Sequence, residues 1–530
     1  MRRRSTFIVP DGTPFDADDL IVRRQRLSFA GVQAAREERI TWALKELPEE
    51  LGQMLLQAQE LHIRWAAEHS YSGISPFLSR LPSGLHVFYT PLDSQSEEDL
   101  VCGGLRKCFS DSLKCQSPAK SFIQGPIDSS SALQYYSVLP SLSSLVAYIQ
   151  RTACLRGDVT CLHTASLLNI ADGLDIDYDG MSRTLTVTAF WSKPPAVLFD
   201  PIGEWTTYDV WNVDIQRTGA NERIEVGILN PSAAKDAYEL QLSGLLTLVG
   251  EDDHPKPTRF HFPSRHHRMA RSQSRAQQFT VSVAQPQGLH PTMEIQFSGD
   301  KGLTAPENRP EGSECALHAY LTLPSTVFVD EYAFKSNDPL FGESHGIQTT
   351  RVITGETDLE APDYVVDKWG SIVLLELRTD QSRVVNASKV TLPLHLRYLP
   401  PSANGTWSVD VPWPVVYWAC TAKEGINFGV NPFDRVNVGY DALHGPRTVF
   451  YHLDAKPAVG DRVVQRMKVP VYSLGSIDPG FVEVGTLLAI AVGFVWVVVQ
   501  LWPVVQAQVS SVLVGPKAEG VEKKKEKKRQ

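Results

Sequence analysis

The feature that most constrains this sequence is an apolar run near its C-terminal end. Residues 484–502 include no charged side chain and one strongly polar one, Gln500. A helix over this run would be roughly 28 Å long at about 1.5 Å per residue, which matches the hydrocarbon thickness of a bilayer. A buried helix of a soluble protein is the alternative, but such a helix normally carries a charged face. The sequence therefore predicts one transmembrane helix over residues 484–505.

The charges that flank this run predict which way it crosses the membrane. Residues 506–530 end in a cluster of basic side chains, whereas Asp478 and Glu483 precede the span. Basic residues favour the cytosolic side, so we expect a cytosolic tail and a luminal N-terminal portion. Lys527 and Lys528 stand fourth and third from the C-terminal end, which resembles a dilysine retrieval signal; an ordinary basic tail is the alternative. The expected location is the endoplasmic reticulum membrane, with a single span.

Two glycosylation sequons support this orientation. Asn386 and Asn404 each begin an Asn-x-Ser/Thr motif N-terminal to the span, whereas a proline excludes the motif at Asn230. Asn-x-Ser/Thr motifs are the acceptor sites for N-glycosylation. We therefore expect Asn386 and Asn404 to be luminal and glycosylated.

The long N-terminal portion is dominated by β-strand patterns. Polar and apolar residues alternate over 85–90, 184–191 and 392–398, which are rich in β-branched and aromatic residues. This period of two is typical of strands with one buried face. The best helical pattern is short, at 48–57, and begins with a proline. The predicted fold class is mainly β, with β-sandwich-like luminal domains followed by one C-terminal transmembrane helix.

Two stretches that are poor in core residues divide the luminal portion. Residues 110–131 are rich in Ser, Gly and Pro, and residues 251–278 hold several His and Arg side chains. Both compositions indicate loops. The expected organisation is a luminal N-terminal block at 1–110, a luminal β block at 132–250, a flexible basic loop at 251–278, a luminal domain at 279–480, the transmembrane helix at 484–505 and the cytosolic basic tail at 506–530.

The acidic run Asp175, Asp177 and Asp179 is a candidate for metal chemistry. It matches the start of a calcium loop, but Thr186 stands where the twelfth-position glutamate belongs. The residues that follow have a strand pattern, so a hairpin turn at Asp179 and Gly180 is the preferred interpretation. The same run includes an Asp-x-Asp, which some glycosyltransferases use to bind a metal and a nucleotide sugar. A match of three residues is too common to support that chemistry alone.

Other candidate chemistry is weak. The His and Arg residues of 251–278 lack Cys or carboxylate partners at zinc-ligand spacing. The seven cysteines include no C-x-x-C pair, so luminal disulfides are favoured and at least one thiol is left over. Common hydrolase, metalloprotease and nucleotide-binding motifs are missing, and a net charge of -9 does not suit nucleic acid. We therefore predict no catalytic residue, no metal site and no cofactor.

A set of ordered motifs carries a family resemblance. In chain order they are CALHAYLTLP at 315–324, FVDEY at 328–332, DLEAPDY at 358–364, LPLHLRYLP at 392–400 and VPV at 469–471. From about Gly288 to the end of the apolar run, the chain thereby resembles the PIG-X family. Over its full length it is similar to the fungal PBN-type branch, with upstream motifs ELHIRW at 60–65, GLHVFYTP at 84–91 and LTVTAFW at 185–191.

The resemblance implies a function. Members of the family are accessory subunits of glycosylphosphatidylinositol (GPI) mannosyltransferase I, so we expect this chain to stabilise the polytopic catalytic subunit that adds the first mannose during GPI-anchor biosynthesis. Residues 279–480 would then be the PIG-X-like luminal β domain. The expected partners are that catalytic subunit and the membrane lipid around one span. The alternatives are a luminal chaperone and a luminal hydrolase tethered by the C-terminal helix.

The same region offers a candidate partner surface. Pro362 fixes its own φ and biases the preceding residue toward extended geometry, so the loop around it is expected to be stiff. A stiff loop loses little entropy on binding. In the alternating stretch 392–398 the leucines are the natural core, so its polar side chains are expected to face outward. The predicted partner-binding residues are Asp358, Glu360, Pro362, Tyr364, His395, Arg397 and Tyr398.

Overall fold

The computed structural model of the chain shows a molecule built mainly from strands. It describes residues 1–13, 15–92, 100–125, 132–155, 157–195, 197–199, 205–207, 210–219, 221–284, 288–298, 303–335, 338–379, 389–424, 428, 431–435, 438–457, 460–473 and 479–513. One compact unit comprises the described residues of Met1–Leu399 and Ser408–Val469, and a second comprises those of Pro400–Trp407 and Pro470–Gln530. The predicted mainly β fold class is confirmed.

Strands of the N-terminal half follow the period-two patterns of the sequence. They are β1 (Arg2–Ile8), β2 (Ile21–Arg23), β3 (Arg26–Val32), β4 (Ala35–Ala43), β5 (Ala58–Ala66), β6 (Gly84–Pro91), β7 (Ile123–Gln124), β8 (Leu133–Ser137), β9 (Gly173–Asp179), β10 (Thr184–Trp191), β11 (Val197–Phe199), β12 (Trp205–Thr207), β13 (Trp211–Gln216), β14 (Arg223–Ser232), β15 (Glu239–Leu248), β16 (Lys256–Pro263) and β17 (His266–His267). The patterns at 85–90 and 184–191 correspond to β6 and β10.

Strands of the C-terminal half complete the list. They are β18 (Gln278–Val283), β19 (Thr292–Phe297), β20 (Glu314–Pro324), β21 (Val327–Phe328), β22 (Ile347–Gly355), β23 (Gly370–Leu377), β24 (Lys389–Pro393), β25 (His395–Leu396), β26 (Thr406–Pro412), β27 (Val415–Thr421), β28 (Thr448–His452), β29 (Asp454–Ala455) and β30 (Val464–Pro470). The stretch 392–398, predicted as one strand, is divided between β24 and β25.

Most helices are short. They are α1 (Glu49–Leu55), α2 (Leu100–Cys108), α3 (Pro118–Ser121), α4 (Ser143–Thr152), α5 (Val159–Ser166), α6 (Arg271–Ala276), α7 (Glu331–Phe334), α8 (Pro339–His345) and α9 (Pro479–Leu513), with 3-10 turns at Ala17–Asp19, Leu44–Glu46, Leu167–Ile170, Asp363–Val365 and Asp441–Leu443. The helical pattern at 48–57 corresponds to α1, whose N-cap is Pro48.

The largest sheet joins strands from both expected N-terminal blocks. Its strand order is β16-β15-β14-β1-β4-β10-β9-β5-β6-β8-β7. Strand β1 lies inside the sheet, parallel to β14 and antiparallel to β4. The blocks expected at 1–110 and 132–250 therefore share one sheet.

One face of this sheet is mainly apolar, and the other carries a row of polar residues beside a small apolar cluster around Phe190 and Phe433. On one face Phe7, Ile63 and Val87 are buried in the main core. On the other face, which we call the polar face, one row of cross-strand neighbours runs through six strands. Its members are Arg4, Arg39, Thr188, Asp175, Arg64 and His86. Charged groups at the centre of this row need partners because water cannot reach them.

A six-stranded sheet organises the C-terminal half. Its order is β17-β28-β27-β20-β23-β22. Cys315 of β20 and Cys420 of β27 are directly opposite each other and form a disulfide. The two halves of the chain lie in one compact unit. Trp369 Nε1, for example, donates a hydrogen bond of 2.8 Å to the carbonyl of Gln134.

The expectation of a flexible basic loop at 251–278 is wrong. This segment includes β16, β17 and α6, and His266 and His267 are buried. Burial lowers the pKa of both histidines, so they are neutral core residues. Strand β16 is the edge of the large sheet, and its Phe262 stacks on Phe433. Along β16 the charged residues that suggested a loop alternate with aromatic residues such as Phe262.

Six of the seven cysteines form disulfides. Cys102 pairs with Cys115, which gives the Ser-rich stretch 110–131 a fixed point, and Cys154 pairs with Cys161. Cys108 is a buried free thiol, and burial raises its pKa to about 11. A thiol with so high a pKa is unreactive, because the thiolate is the reactive form.

Helix α9 contains the predicted span. Its segment Gly480–Gln506 includes an 18-residue stretch with a mean hydropathy of 2.3, and the side chains of that stretch are exposed on all sides. The helix is therefore long and apolar enough to cross a membrane. It begins five residues before the predicted start at 484 and continues to Leu513. The rest of the expected tail lies outside the described residues.

Candidate partner-binding surface

Arg397 is the centre of the candidate surface, but it does not face outward as expected. Its side chain is buried, with 2% of the residue exposed. The guanidinium donates hydrogen bonds to the carbonyls of Asp358, Ala361 (2.7 Å) and Ser325 (2.9 Å), and it lies 4.2 Å from the ring centroid of Phe328. Burial lowers the pKa of Arg397. The expectation of an outward side chain is wrong, and Arg397 instead fixes the loop that contains Asp358 and Ala361.

The end of strand β25 explains this error. Leu394 and Leu396 are buried as the alternation requires, but β25 ends at Leu396. Beyond that point the period of two no longer decides which way a side chain points. Arg397 therefore turns inward although its neighbour Leu396 is also buried.

Asp363 fixes the other end of the loop. This residue is buried, and its carboxylate accepts hydrogen bonds from Ser325 Oγ (2.6 Å) and Lys114 Nζ (3.2 Å). Its backbone N–H donates to the carbonyl of Tyr398 at 3.1 Å. Pro362 precedes it with φ of -71°, in agreement with the stiffness expected from the sequence. The loop is therefore anchored at both ends by buried polar groups.

Between and beside these anchors, large apolar side chains are exposed. Tyr364 is 70% exposed and Tyr398 is 66% exposed. Helix α7 lies next to the loop, because Thr357 Oγ1 donates a hydrogen bond of 2.7 Å to the carboxylate of Glu331. We define the aromatic patch as Tyr332, Leu359, Tyr364, Val365 and Tyr398, all of which are exposed. Clusters of exposed apolar side chains of this kind mark interaction sites.

The remaining predicted site residues have different environments. Asp358 and Glu360 are exposed at the edge of the aromatic patch, and Pro362 is half-buried. His395 is half-buried as well, with Nδ1 3.2 Å from Nδ1 of His290 and its ring against Phe328. Burial, and then the neighbouring His290, lower the pKa of His395. His395 therefore belongs to the packing beneath the surface.

Tyr332 is the residue that sequence reasoning missed. It belongs to the motif FVDEY, where Asp330 caps helix α7 by accepting hydrogen bonds from the backbone N–H groups of Tyr332 (2.9 Å) and Ala333 (3.2 Å). An N-cap aspartate is a readable signal of a helix start. It could have indicated that the following side chains leave the strand pattern and face solvent.

The Asp-x-Asp residues serve a structural network. Arg64 Nη2 donates to Asp177 at 2.6 Å, and Arg435 pairs with both Asp175 and Glu37. Burial alone would raise the pKa of Asp177, but the charge of Arg64 and the hydrogen bonds from His62 and Arg64 together outweigh burial and lower the pKa. Both carboxylates of the motif are therefore occupied by arginines, and a metal would have to displace them.

The hairpin interpretation of the same run is confirmed. Strands β9 and β10 pair antiparallel on either side of Asp179 and Gly180. The Asp179 carboxylate accepts hydrogen bonds from the backbone N–H groups of Met181 (2.9 Å) and Ser182 (3.3 Å). The groups of His, Cys, Asp and Glu within the described residues include none that could hold a metal ion.

The predicted glycosylation and retrieval residues are only partly visible. Asn404 lies exposed in a turn of the segment Pro400–Trp407. Asn386, Lys527 and Lys528 lie outside the described residues.

Comparison with known proteins identifies a family match in the same half of the molecule. Residues 286–502 match the family described as PIG-X / PBN1. This range contains the motifs at 315–324, 358–364 and 392–400, and with them the aromatic patch.

Curated relatives match nearly the whole chain. The protein named "Protein pbn1" from Emericella nidulans is 44% identical over 522 residues, which covers 95% of each chain. The protein of that name from Aspergillus oryzae is 42% identical and covers 95% of this chain and 96% of its own. The one from Neurospora crassa is 38% identical over 95% of each. The similarity therefore includes the large N-terminal sheet as well as the C-terminal half.

Proposed function

Because the chain belongs to the PIG-X / PBN1 family, we propose that it is a non-catalytic accessory subunit that stabilises the catalytic subunit of GPI mannosyltransferase I. Membership of this family supports the assignment of the chain as a component of GPI-anchor biosynthesis. The finer proposal is that the chain is needed for addition of the first mannose in the endoplasmic reticulum. Its partner is then a polytopic catalytic subunit in the same membrane.

The aromatic patch is the observation that carries this proposal. Its tyrosines are large, amphipathic side chains with few rotatable bonds, a type that is enriched at the centres of interfaces. The anchors Arg397 and Asp363 hold the backbone of the patch before a partner arrives, so little entropy is lost on binding. Asp358 and Glu360 supply a polar rim. We propose this surface as the contact with the catalytic subunit.

The membrane arrangement supports a role beside another membrane protein. Helix α9 provides one apolar span, and we propose that residues before it are luminal and residues after it are cytosolic. Asn386 and Asn404 are then the glycosylation sites, and Lys527 and Lys528 the retrieval signal. Endoglycosidase treatment should increase the gel mobility of the wild type and not that of N386Q/N404Q. Cleavage of the large domain by protease added outside sealed vesicles would contradict this orientation.

The double variant Y364A/Y398A tests the proposed contact. We expect the variant to accumulate normally, while the amount of co-purified catalytic subunit falls by about tenfold or more, because each truncation at an interface centre typically costs about 2 kcal/mol. The matched control is L155A/M181A, which removes two equally exposed apolar side chains elsewhere, 79% and 91% exposed.

Two outcomes of the pull-down, together with a mannosyl-transfer assay in cells that lack this chain, distinguish the alternatives. One polytopic protein at equal stoichiometry, lost in Y364A/Y398A and retained in the control, supports the accessory subunit. Many luminal clients would instead indicate a chaperone. Normal mannosyl transfer in cells that lack this chain would exclude the subunit role and favour a tethered hydrolase.

A further inference from the structure

A basic pocket lies at the margin of the polar face of the large sheet. It is an open pocket of about 360 Å³. Its lining residues are Arg2, Arg3, Arg4, Arg39, Thr41, Arg223 and Glu225. We call it the arginine pocket. Five guanidinium groups and one carboxylate line it, on a chain whose net charge is -9.

The strand register explains how the arginines come together. Arg2 of β1 is the direct neighbour of Arg223 on β14 and of Thr41 on β4, and Arg4 is the direct neighbour of Arg39. Neighbouring strands are about 4.8 Å apart. Like charges directly opposite each other in a sheet are destabilising, so these pairs weaken the sheet unless an anion lies between them.

Internal ion pairs neutralise only part of this charge. Arg3 pairs with Glu38, and Arg4 pairs with Glu37 at 2.8 Å. Among the described residues, no carboxylate forms an ion pair with Arg2, Arg39 or Arg223. Glu37 is shared with Arg435, Glu38 is shared with Arg36, and Glu225 is the direct neighbour of Arg4. At least two positive charges of the pocket are therefore left uncompensated.

Arg39 is half-buried, whereas Arg2 and Arg223 are exposed. Its Nη1 donates a hydrogen bond of 2.6 Å to the carbonyl of Pro432, which orients the guanidinium without neutralising it. Arg4 donates to the same carbonyl at 3.1 Å. Burial, followed by the charge of Arg435, lowers the pKa of Arg39. An anion in the pocket would offset the positive electrostatic potential around the Arg39 guanidinium.

We propose that the arginine pocket binds a phosphate group. A guanidinium donates two parallel hydrogen bonds to phosphate oxygens, which makes arginine the usual residue at phosphate sites. A phosphate monoester carries nearly two negative charges at neutral pH, which matches the uncompensated charge. The Thr41 hydroxyl, which shares a hydrogen bond of 3.1 Å with the Thr186 hydroxyl, also lies at the pocket wall. A phospholipid headgroup and a soluble phosphate ester share this chemistry.

Calorimetric titration of the full-length protein in a zwitterionic or neutral detergent tests the site. The purification tag belongs at the C-terminal end, because Arg2 lies next to the first residue. The probes are inorganic phosphate, a short-chain phosphatidic acid, and the matching diacylglycerol, which lacks the phosphate. The variant is R2Q/R223Q, whose two side chains are exposed. The matched control is R151Q/R259Q, which removes two exposed charges elsewhere.

We expect both phosphate probes to bind the wild type and the control, and the affinity of R2Q/R223Q to fall about tenfold or more. Tighter binding of phosphatidic acid than of inorganic phosphate would assign the site to a lipid headgroup, and equal binding would assign it to soluble phosphate esters. R39Q provides a second variant with the same expectation if R2Q/R223Q fails to fold. Absence of phosphate binding by the wild type, or an equal loss in the control, would overturn the proposal.

Discussion

Two arginines whose side chains are at most 10% exposed, Arg435 and Arg397, have different electrostatic environments. Arg435 contacts the carboxylates of Glu37 and Asp175, whereas Arg397 contacts backbone carbonyls and the ring of Phe328. Burial lowers the pKa of both, but the carboxylates outweigh it at Arg435 and raise its pKa, while burial prevails at Arg397. The first arginine is neutralised by two carboxylates in direct contact, whereas the second donates its hydrogen bonds to backbone carbonyls and has the carboxylate of Glu356 at a distance of 3.9 Å.

The difference shows how the two regions divide their roles. Arg435 joins the polar face of the N-terminal sheet to a segment that is 398 positions away from Glu37, so it stabilises the assembly of the two halves. Arg397 donates a hydrogen bond to the carbonyl of Ala361, which is only 36 positions away in the chain. It therefore fixes the conformation of one loop and of the aromatic patch on that loop. We expect variants at Arg435 to reduce folding stability and variants at Arg397 to reduce the order of a surface.

The largest effect is expected for R435M. It leaves the Glu37 and Asp175 carboxylates without this partner in a largely buried site, which typically costs about 4 kcal/mol of unfolding free energy. Chemical denaturation of the purified protein measures it. Removing the carboxylates as well, in R435M/E37Q/D175N, should restore part of the loss, because the penalty belongs to the unpaired charges. No recovery would mean that packing rather than charge dominates.

A smaller effect, about 2 kcal/mol, is expected for R397M, which leaves buried carbonyls without a donor. The loss should be local, so hydrogen exchange of the backbone amides at 357–366 should accelerate more than that of the strands around them. R397K is the matched variant, since it keeps the charge and loses the planar contact with Phe328. Uniform acceleration across the whole unit would contradict the assigned local role.

A pH effect of similar size is expected from His86, which lies beside Arg64 on the polar face. Burial lowers its pKa to about 4. The unfolded chain therefore binds a proton near pH 6.5 that the folded chain does not, so this contribution to stability is lost as the pH falls from about 6.5 toward 4. Between pH 7 and pH 5 the loss is about 2 kcal/mol. In H86Q the stability difference between these two pH values should shrink by that amount; an unchanged difference would assign the pH dependence to other groups.

The smallest effect on stability is expected for Y364A/Y398A, because both side chains are exposed. Surface substitutions usually change the unfolding free energy by less than about 0.5 kcal/mol. The same variant is expected to lose the catalytic subunit, so stability and binding separate. A destabilisation comparable to that of R397M would place these tyrosines in the core of the loop.

The local features of the molecule could be predicted from sequence. The strands at 84–91 and 184–191, the hairpin at Asp179 and the apolar helix follow from short-range patterns. Within the candidate site, the exposure of Tyr364 and Tyr398 was anticipated, and the stiff backbone at Pro362 was as well. These features depend on residues close to one another in the chain.

The errors arose where distant residues decide the outcome. Arg397 was expected to face outward because the strand was assumed to continue to 398, and its carbonyl partners could not be foreseen from alternation. His266 and His267 are buried, against the expectation of a solvated loop, because they pair with β28, almost 200 positions later in the chain. The ion pairs of Arg435 with Glu37 and Asp175 could not be predicted from sequence either, because the partners are more than 250 positions apart in the chain.

Site-specific photo-crosslinking at Tyr364 tests the central claim most directly. A photoreactive amino acid introduced at Tyr364 in the native membrane should form a crosslink to one polytopic protein, the catalytic mannosyltransferase subunit, and the same probe at Met181, which is 91% exposed in the other half, should not. R397M should reduce the crosslink at Tyr364, since it loosens the loop. Equal crosslinking from both positions, or a crosslink from Met181 alone, would contradict the assignment of the aromatic patch as the partner surface.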